Sequence, residues 1–241
     1  MSSYQNKIKL KNINKSFDNM EILRDITIEV NKGELVSILG PSGSGKSTIF
    51  NILTDIIDSD SGEKEINGHI SYMYQKDTMV PWKKVIDNIG IPLIFKGKSK
   101  KEAREEVKKH IDEFGLSGFE YKYPNKLSGG MKQRANFLKT YLTSKDIILL
   151  DEPFGALDAM TKRKMQNWLL ELINKMNSTI LFITHDIEEA ILLSDRVYII
   201  SEKPAVIKKE IKISIPKIKR DENIVTDDEF IKIKKEILSL I

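Results

Sequence analysis

The chain contains no cysteine among its 241 residues, which excludes disulfide bonds, thiolate metal sites and cysteine nucleophiles. It also lacks any apolar run approaching the roughly 20 residues that a membrane-spanning helix needs. The opening stretch "MSSYQNKIKL" has no apolar segment of the kind found in a secretion signal. We therefore expect a cytosolic protein, and leave open that it lies against a membrane protein.

A strong charge of one sign is also absent. The 39 basic and 35 acidic side chains leave a formal net charge of +4, and many lysines are interleaved with glutamates, as in "KSKKEAREEVKK". Such interleaving is typical of a solvated helix face, so the composition gives no reason to expect nucleic-acid binding. Charged residues at 31% and hydrophobic residues at 40% are ordinary for a folded protein. Since no repeat is visible, one domain with an insertion is predicted.

Two kinds of strand pattern follow one another along the chain. Within the first forty residues, "KIKLKNINKSF" and "ILRDITIEV" have the pattern of antiparallel strands. Further along, apolar β-branched runs cover 35–40, 69–75, 146–152 and 179–186. Runs of that kind fit strands buried on both faces of a mainly parallel sheet. The chain is therefore predicted to have an α/β fold that begins with antiparallel strands.

Helical patterns occupy much of the remainder. Segment 98–116 carries its apolar residues on one helical face, so the stretch between Gln75 and Leu127 is predicted to be a helical insertion. After Ile200 come a turn, "SEKPA", and an alternating strand, "VIKKEIKISI". A final amphipathic helix is predicted within 227–241.

The four apolar runs end in distinctive residues, namely Gly40, Gln75, Asp151 followed by Glu152, and His185. In open α/β sheets, ligands bind beside the carboxyl ends of the strands. Four separate segments are therefore predicted to converge on one crevice.

A glycine-rich loop, "GPSGSGKST" at 40–48, follows the first of these runs and precedes a helical pattern. Glycines allow successive N–H groups to point inward, and the helix N-terminus adds positive potential, so the loop is suited to phosphate. Lys46 is predicted to reach the β- and γ-phosphates, and the Ser47 hydroxyl to bind Mg²⁺. A chance glycine-rich turn is the alternative. The predicted nucleotide-binding residues are Gly40, Pro41, Ser42, Gly43, Ser44, Gly45, Lys46, Ser47 and Thr48.

Two carboxylates follow the run "IILL", and one histidine follows "FIT". Asp151 is predicted to hold Mg²⁺, often through water, while Glu152 points to the other side and orients or deprotonates the attacking water. His185 is predicted to donate a hydrogen bond to the γ-phosphate. A structural turn and a structural histidine are the alternatives, and the neighbouring phosphate loop favours the catalytic interpretation.

A second glycine stretch, "LSGGMKQR", lies at 127–134, although one nucleotide requires only one phosphate loop. Alone it would be interpreted as a capped helix with a glycine hinge. Together with "GPSGSGKST", "DIILLDEPFGALD" and "TILFITHDIEEAILLSDRVYII", however, it resembles the ATP-binding subunits of ABC transporters. The resemblance extends over about residues 7–213, and several independent motifs agree in order and spacing.

The resemblance implies a P-loop NTPase fold, with a RecA-like sheet, an antiparallel β subdomain and a helical subdomain. It implies ATP and Mg²⁺ as cofactors and two cassettes packed head to tail, each ATP lying between one chain's phosphate loop and the other's signature loop. Gln75 matches the residue that senses Mg²⁺ and the attacking water, and His185 the switch histidine. Phe17 matches the aromatic that stacks on adenine, supported only by "KSF". The positions implied at the dimer seam are Ser128, Gly129, Gly130 and Asp158.

Several segments further resemble the nitrate, sulfonate and taurine importer ATPases, whose relatives also serve thiamine-precursor uptake. This group implies membrane permease subunits, which would dock on 76–95, and an extracellular solute-binding protein. The apolar cluster 79–82 either lines that docking groove or only fills the helical subdomain. Met131, where Gln is common, fits the group, while Lys139 stands where Arg is usual and puts a fork-like salt bridge in doubt.

The predicted organisation is a single ABC ATPase domain over 1–241 at the cytoplasmic face of the membrane. Its parts are a catalytic core with the β subdomain at 1–76 and 129–213, a helical subdomain at 77–128 and a C-terminal extension at 214–241. A DNA-repair or ribosome-associated ABC ATPase is disfavoured. The first would carry a coiled coil or zinc cysteines in its insertion, and the second would hold two cassettes in one chain.

Overall fold

The structure is a computed structural model that describes residues 6–176, 178–220 and 224–241. Its first two strands, β1 (Asn6–Phe17) and β2 (Met20–Asn31), form an antiparallel hairpin. The two turn residues, Asp18 and Asn19, both have positive φ (46° and 67°), which suits the twist of a tight hairpin and which Asp and Asn tolerate. The hairpin holds Phe17 at the end of its strand.

A third strand, β3 (Leu35–Leu39), leads away from the hairpin, and β4 (Ser61–Ile66) returns to pair with β1. The resulting antiparallel sheet has the order β2-β1-β4. The first two strands confirm the prediction. The sequence analysis missed β4, because its sequence "SGEKEI" is largely exposed and offers no apolar alternation.

Within the residues that the structure describes, the main sheet has six strands. The remaining five strands are β5 (Ile70–Met73), β6 (Ile147–Asp151), β7 (Thr179–Thr184), β8 (Arg196–Ile200) and β9 (Ile207–Lys212). They pair with β3 in the order β5-β6-β7-β3-β8-β9, and only β9 runs antiparallel to its neighbour. The predicted mainly parallel sheet and the alternating final strand are both confirmed.

The buried strands contribute to two cores, one on each face of the main sheet. Along β6, Ile148 and Leu150 belong to one apolar cluster and Ile147 and Leu149 to the other. Because successive side chains of a strand point to opposite faces, a strand covered on both sides needs apolar residues at every position. This accounts for the continuous apolar runs in the sequence.

Eight α-helices lie in the described part of the chain, and the first is α1 (Lys46–Leu53), which starts at the end of the glycine-rich loop. The segment predicted as a helical insertion contains three of these helices. The helix predicted within 98–116 is shorter than expected, since it starts after its N-cap Ser99 and ends at Ile111. The others are α2 (Val85–Ile89), α3 (Ile91–Phe95), α4 (Lys100–Ile111), α5 (Gly129–Thr143), α6 (Ala159–Lys175), α7 (Ile187–Leu193) and α8 (Asp228–Leu238).

The predicted amphipathic helix near the C-terminus is confirmed as α8, which packs on α7 and buries Phe230, Ile233 and Ile237. The buried guanidinium of Arg220 joins this region to α7. It donates to Ser194 O, just after α7, and to Ile215 O in the C-terminal segment, each at 2.6 Å. The C-terminal segment is therefore fixed to the helix that follows His185. Among the described residues, none of the helices combines the length and apolarity needed to span a bilayer.

Candidate functional site

The glycine-rich loop between β3 and α1 forms a cradle whose conformation requires glycine at two positions. Gly43 and Gly45 have φ of +78° and +106°, in the left-handed region that other residues rarely adopt. A Cβ on Gly43 would meet no atom within 4 Å, so this position opens into free space. Ser44 Oγ is buried without a hydrogen-bond partner in the described part of the chain. An open, curled loop with an orphaned hydroxyl fits a phosphate ligand.

Lys46 lies inside this loop, although it is the first residue of a helix. Its Nζ donates to the carbonyl oxygens of Gly40 and Pro41 at 2.8 and 2.7 Å. Burial lowers the pKa of Lys46, while the nearby Glu152 and Asp151 carboxylates act in the opposite direction. The ammonium is thus held at the loop by backbone dipoles, in the position where a phosphate oxygen would find a charge-assisted donor.

The first carboxylate, Asp151, is joined to the phosphate loop. Ser47 Oγ donates to Asp151 Oδ2 at 3.1 Å, and the Tyr72 hydroxyl donates to the same oxygen at 2.9 Å. Burial raises the pKa of Asp151 from its usual value, and these two hydrogen bonds lower it in part. A hydroxyl beside a buried carboxylate is a donor set that suits Mg²⁺, a cation that prefers oxygen ligands.

The second carboxylate, Glu152, lies between the ends of two neighbouring strands. Gln75 Nε2 donates to Glu152 Oε2 at 3.0 Å, and His185 Nδ1 lies 3.4 Å from Glu152 Oε1. Glu152 has φ of +43°, in the left-handed region, and its N–H donates to Ile183 O at 3.0 Å. Strained non-glycine residues of this kind concentrate at functional sites. The ends of β5, β6 and β7 therefore meet at one carboxylate.

The phosphate loop, Gln75 and Glu152 border a cavity of about 400 Å³, whereas Asp151 and His185 are not among its lining residues in the described part of the chain. Most of the predicted nucleotide-binding residues line it, and two residues that the sequence analysis did not single out line it as well, Ile22 and Lys203. The other lining residues are Phe17, Ser42, Gly43, Gly45, Lys46, Ser47, Thr48, Gln75 and Glu152. Phe17 is 44% exposed at the mouth, with Lys15 Nζ 5.2 Å from its ring centroid.

The stretch 127–134, called the signature segment from here on, and Asp158 do not border this cavity as the described residues define it. Ser128 caps α5 and its Oγ accepts from Met131 N at 3.3 Å, while exposed Asp158 caps α6 and accepts from Thr161 N at 3.0 Å. The first turns of the two helices lie close together, because a Cβ on Gly130 in α5 would lie 3.1 Å from the Thr161 Cγ2 methyl in α6. They form a second, separate polar surface.

Sequence reasoning missed Tyr72 and Lys203. Ile147, Leu149 and Asp151 alternate onto the face of the sheet that α1 covers, and Tyr72 pairs with Leu149 in the parallel register. The period of two could thus have indicated that Tyr72 faces Asp151, had the register been known. Lys203 lies in the turn after β8, where no sequence signal pointed to the cavity.

Comparison with known proteins identifies the family of this chain. The family model for ABC transporters matches residues 23–155, which include the phosphate loop and both carboxylates. The chain belongs to the ABC transporter family. The cassette is 45% identical over 185 residues to the formylaminopyrimidine import ATP-binding protein ThiZ of Halalkalibacterium halodurans, covering 76% of this chain and 74% of that protein.

Two longer matches are similar in kind. The aliphatic sulfonates import ATP-binding protein SsuB of Bacillus cereus is 37% identical over 95% of this chain and 91% of its own length. The nitrate import ATP-binding protein NrtD of Synechocystis is 35% identical over 91% of this chain and 87% of its own length. The predicted resemblance to the nitrate, sulfonate and taurine importer group is therefore confirmed.

Solved structures of similar fold are also ABC transporter cassettes. The dimeric structure of the bacterial ABC transporter cassette MJ0796 is similar at a TM-score of 0.75 and 30% identity, covering 87% of this chain and all 100% of that one. A post-hydrolysis state of that cassette, bound to ADP and phosphate, has a TM-score of 0.72. The predicted fold is confirmed, and the cassette is an ATP-binding protein that hydrolyses ATP.

Proposed function

We propose that the cassette is the ATP-hydrolysing subunit of an importer for a small solute, either a nitrate-, alkanesulfonate- or taurine-like anion or a thiamine precursor. The observation that carries this proposal is the similarity to ATP-binding proteins of import systems over nearly the whole chain. The differing solutes in the relatives' names leave several solutes open, since the solute is read by other subunits. A DNA-repair or ribosome-associated role has no observation in its favour.

In the proposed reaction, ATP is the substrate whose γ-phosphoryl group is transferred to water, and a bound Mg²⁺ would supply positive charge beside the phosphate oxygens. Lys46 and the loop N–H groups bind the phosphates. Ser47, Gln75 and Asp151 would hold the metal ion, and the Ser47–Asp151 hydrogen bond supports this role. Phe17 stacks on adenine at the mouth of the cavity.

Glu152 is the proposed base that orients or deprotonates the attacking water. Gln75 and His185 contact one oxygen each of this carboxylate, so they fix its orientation from opposite sides. As proposed from the sequence, His185 then also donates toward the γ-phosphate. The strained backbone at Glu152 supports a carboxylate held for chemistry rather than for packing.

The second polar surface supplies the other half of the site in a head-to-tail homodimer, as we propose. Ser128, Gly129 and Gly130 would contact ATP held by the partner's phosphate loop, and Asp158 would lie at the seam. The exposed caps support this arrangement, because a helix N-terminus with free N–H groups attracts phosphate. A two-fold axis satisfies both half-sites of each chain mutually.

The proposed permease contact is the segment 76–95. Within it Met79 packs against the core, whereas Trp82 and Phe95 are 77% and 87% exposed. Buried Asn88 fixes the turn before α2 by accepting from Val80 N at 2.7 Å and donating to Val80 O at 3.0 Å. Large exposed aromatics such as Trp82 on this turn and Phe95 at the end of α3 are typical of protein contact sites, so part of the apolar cluster is free for a partner.

The class is tested by purifying the tagged chain from native membranes and identifying what accompanies it. We expect permease subunits and an extracellular solute-binding protein, since the cassette would lie at the cytoplasmic face of the membrane. Substitution of Trp82 and Phe95 by Ser should lose the permease while ATP binding persists, because neither residue borders the nucleotide cavity. Recovery of ribosomes or DNA instead would contradict the importer proposal.

Lys203 adds a further cation to the proposed phosphate site. It borders the cavity beside Ser42 and Gly43, and its loop is tied to β2 because Ala205 N donates to Ile22 O at 2.8 Å. We predict that Lys203→Ala weakens ATP binding about fivefold, since an exposed charged contact contributes up to about 1 kcal/mol. A fluorescent ATP analogue measures this at low and high salt.

The matched control for this prediction is Lys208→Ala, because Lys208 donates to Leu240 O and does not border the cavity. Added salt should reduce the difference between Lys203→Ala and the wild type, since ions screen an exposed contact. Equal ATP affinity in both variants would show that Lys203 does not contact the nucleotide.

A further inference from the structure

We propose that Tyr72 is a positioning residue for the metal site, where its hydroxyl fixes the Asp151 carboxylate beside Ser47. The inference rests on the proposed role of Asp151 toward Mg²⁺. Tyr72 lies three residues before Gln75 and belongs to none of the motifs that identify the family. Its part in the site comes from contacts that only the folded chain brings together.

The contact geometry is specific. Asp151 Oδ2 accepts from Tyr72 Oη at 2.9 Å and from Ser47 Oγ at 3.1 Å, so two donors from different elements meet on one oxygen. One donor comes from the strand β5 and the other from the first turn of α1. With both bonds made, the carboxylate has little freedom to rotate, and its orientation toward the phosphate loop is set.

The tyrosine ring is itself held in place. Phe50 lies edge-on to it with ring centroids 5.5 Å apart, and Tyr74 stacks on it at 4.1 Å. The strand backbone and these two rings therefore fix the position of the hydroxyl before any contact with Asp151. A pre-placed donor orients a carboxylate at little further entropic cost, which is how outer-shell groups tune metal ligands.

The hydroxyl can only act as a donor here. A phenol is protonated at neutral pH and an ionised carboxylate has no proton to donate, so the hydroxyl is the donor of its hydrogen bond to Asp151. Asp151 is nearly buried, at 7% exposed, and water has little access to take over this hydrogen bond. Removing the hydroxyl would thus leave the carboxylate less oriented and less well solvated.

The test compares Tyr72→Phe with Tyr74→Phe, which removes one hydroxyl from each ring of the same stacked pair. Within the described residues Tyr74 Oη makes no hydrogen bond, so this variant is the matched control. Binding of a fluorescent ATP analogue is measured in EDTA and across a Mg²⁺ titration. We expect Tyr72→Phe to bind as the wild type does in EDTA, but to need about tenfold more Mg²⁺ for half of the Mg²⁺-dependent gain.

Hydrolysis and stability give two further readouts. The Mg²⁺ concentration for half-maximal hydrolysis should rise in Tyr72→Phe, while the rate at saturating Mg²⁺ stays near that of the wild type. Thermal unfolding of the two variants identifies any loss of packing. Electron paramagnetic resonance of Mn²⁺, used in place of Mg²⁺, reports metal binding without turnover.

Three outcomes would overturn the proposal in different ways. Equal Mg²⁺ half-points in Tyr72→Phe and Tyr74→Phe would show that the hydroxyl does not position the metal ligand. Weaker nucleotide binding in EDTA would show that Tyr72 supports the phosphate loop by packing instead. A wild-type chain whose binding and hydrolysis ignore Mg²⁺ would remove the proposed metal site, and Tyr72's role with it.

Discussion

Glu152→Gln is expected to bind ATP with near wild-type affinity and to hydrolyse it about a thousandfold more slowly. The amide has the size of the carboxylate and can still accept from Gln75, but it cannot take a proton from water. It also removes a negative charge beside the phosphates, which favours the ATP-bound state. The closed dimer should therefore accumulate and be visible by light scattering, while phosphate release measures the rate.

Glu171→Gln serves as the control for this prediction, because Glu171 is exposed on α6 and does not border the cavity. It should keep both the rate of hydrolysis and the ATP-dependent mass of the wild type. Turnover of Glu152→Gln at the wild-type rate would remove Glu152 from the role of base. Slow turnover without a dimer would separate the chemistry from the proposed closure.

Ser128→Arg is expected to abolish hydrolysis and leave ATP binding to the phosphate loop nearly intact. Ser128 lies at an exposed helix N-terminus outside the cavity, and a Cβ on the next residue, Gly129, would already lie 3.2 Å from the Leu157 Cδ2 atom. A bulky cation at this place would obstruct a partner's nucleotide rather than the chain's own. Phosphate release and a fluorescent ATP analogue measure the two properties separately.

The control variant also loses a capping serine, but at a helix other than the one that begins in the signature segment. Ser99→Arg removes the capping serine of α4 in the helical segment, so it costs about 1 kcal/mol of stability like the first variant. We expect it to hydrolyse ATP normally. If it fails as Ser128→Arg does, loss of the cap rather than a composite site explains the result.

A mixing experiment decides whether the two half-sites belong to different chains. Neither Ser128→Arg nor Lys46→Ala should hydrolyse ATP alone, but a mixed dimer would pair an intact phosphate loop with an intact signature segment. Random pairing then restores about a quarter of wild-type activity if the two sites work independently. No recovery at any mixing ratio would contradict complementation between chains.

Local sequence was sufficient to predict the phosphate loop and the buried strands. The phosphate loop needs glycine at Gly43 and Gly45 because their φ angles are positive, and the buried strands need apolar residues on both faces because both faces are covered. The convergence of Gln75, Glu152 and His185 also followed from their positions at strand ends. Each of these features follows from a residue's own backbone conformation or from its position in a strand, so a single sequence is enough to predict them.

Other features depended on contacts between distant segments. Strand β4 has no apolar pattern and is defined by its pairing with β1. Lys203 reaches the cavity because the nearby Ala205 N donates a hydrogen bond to Ile22 O in β2. These two residues are 183 positions apart in the sequence. The cluster 79–82 divides into a packed Met79 and an exposed Trp82, which neither of the two sequence interpretations had separated.

The sequence by itself determined the fold class, the family and the order of the site segments along the chain. Only the tertiary structure decided which donors Asp151 receives, because the Tyr72 and Ser47 hydroxyls meet on one oxygen through the register of β5 against β6 and the start of α1. It also decided that the signature segment lies apart from the cavity. The physical reason is the same for both, since distances between remote segments are set by packing and not by spacing in the sequence.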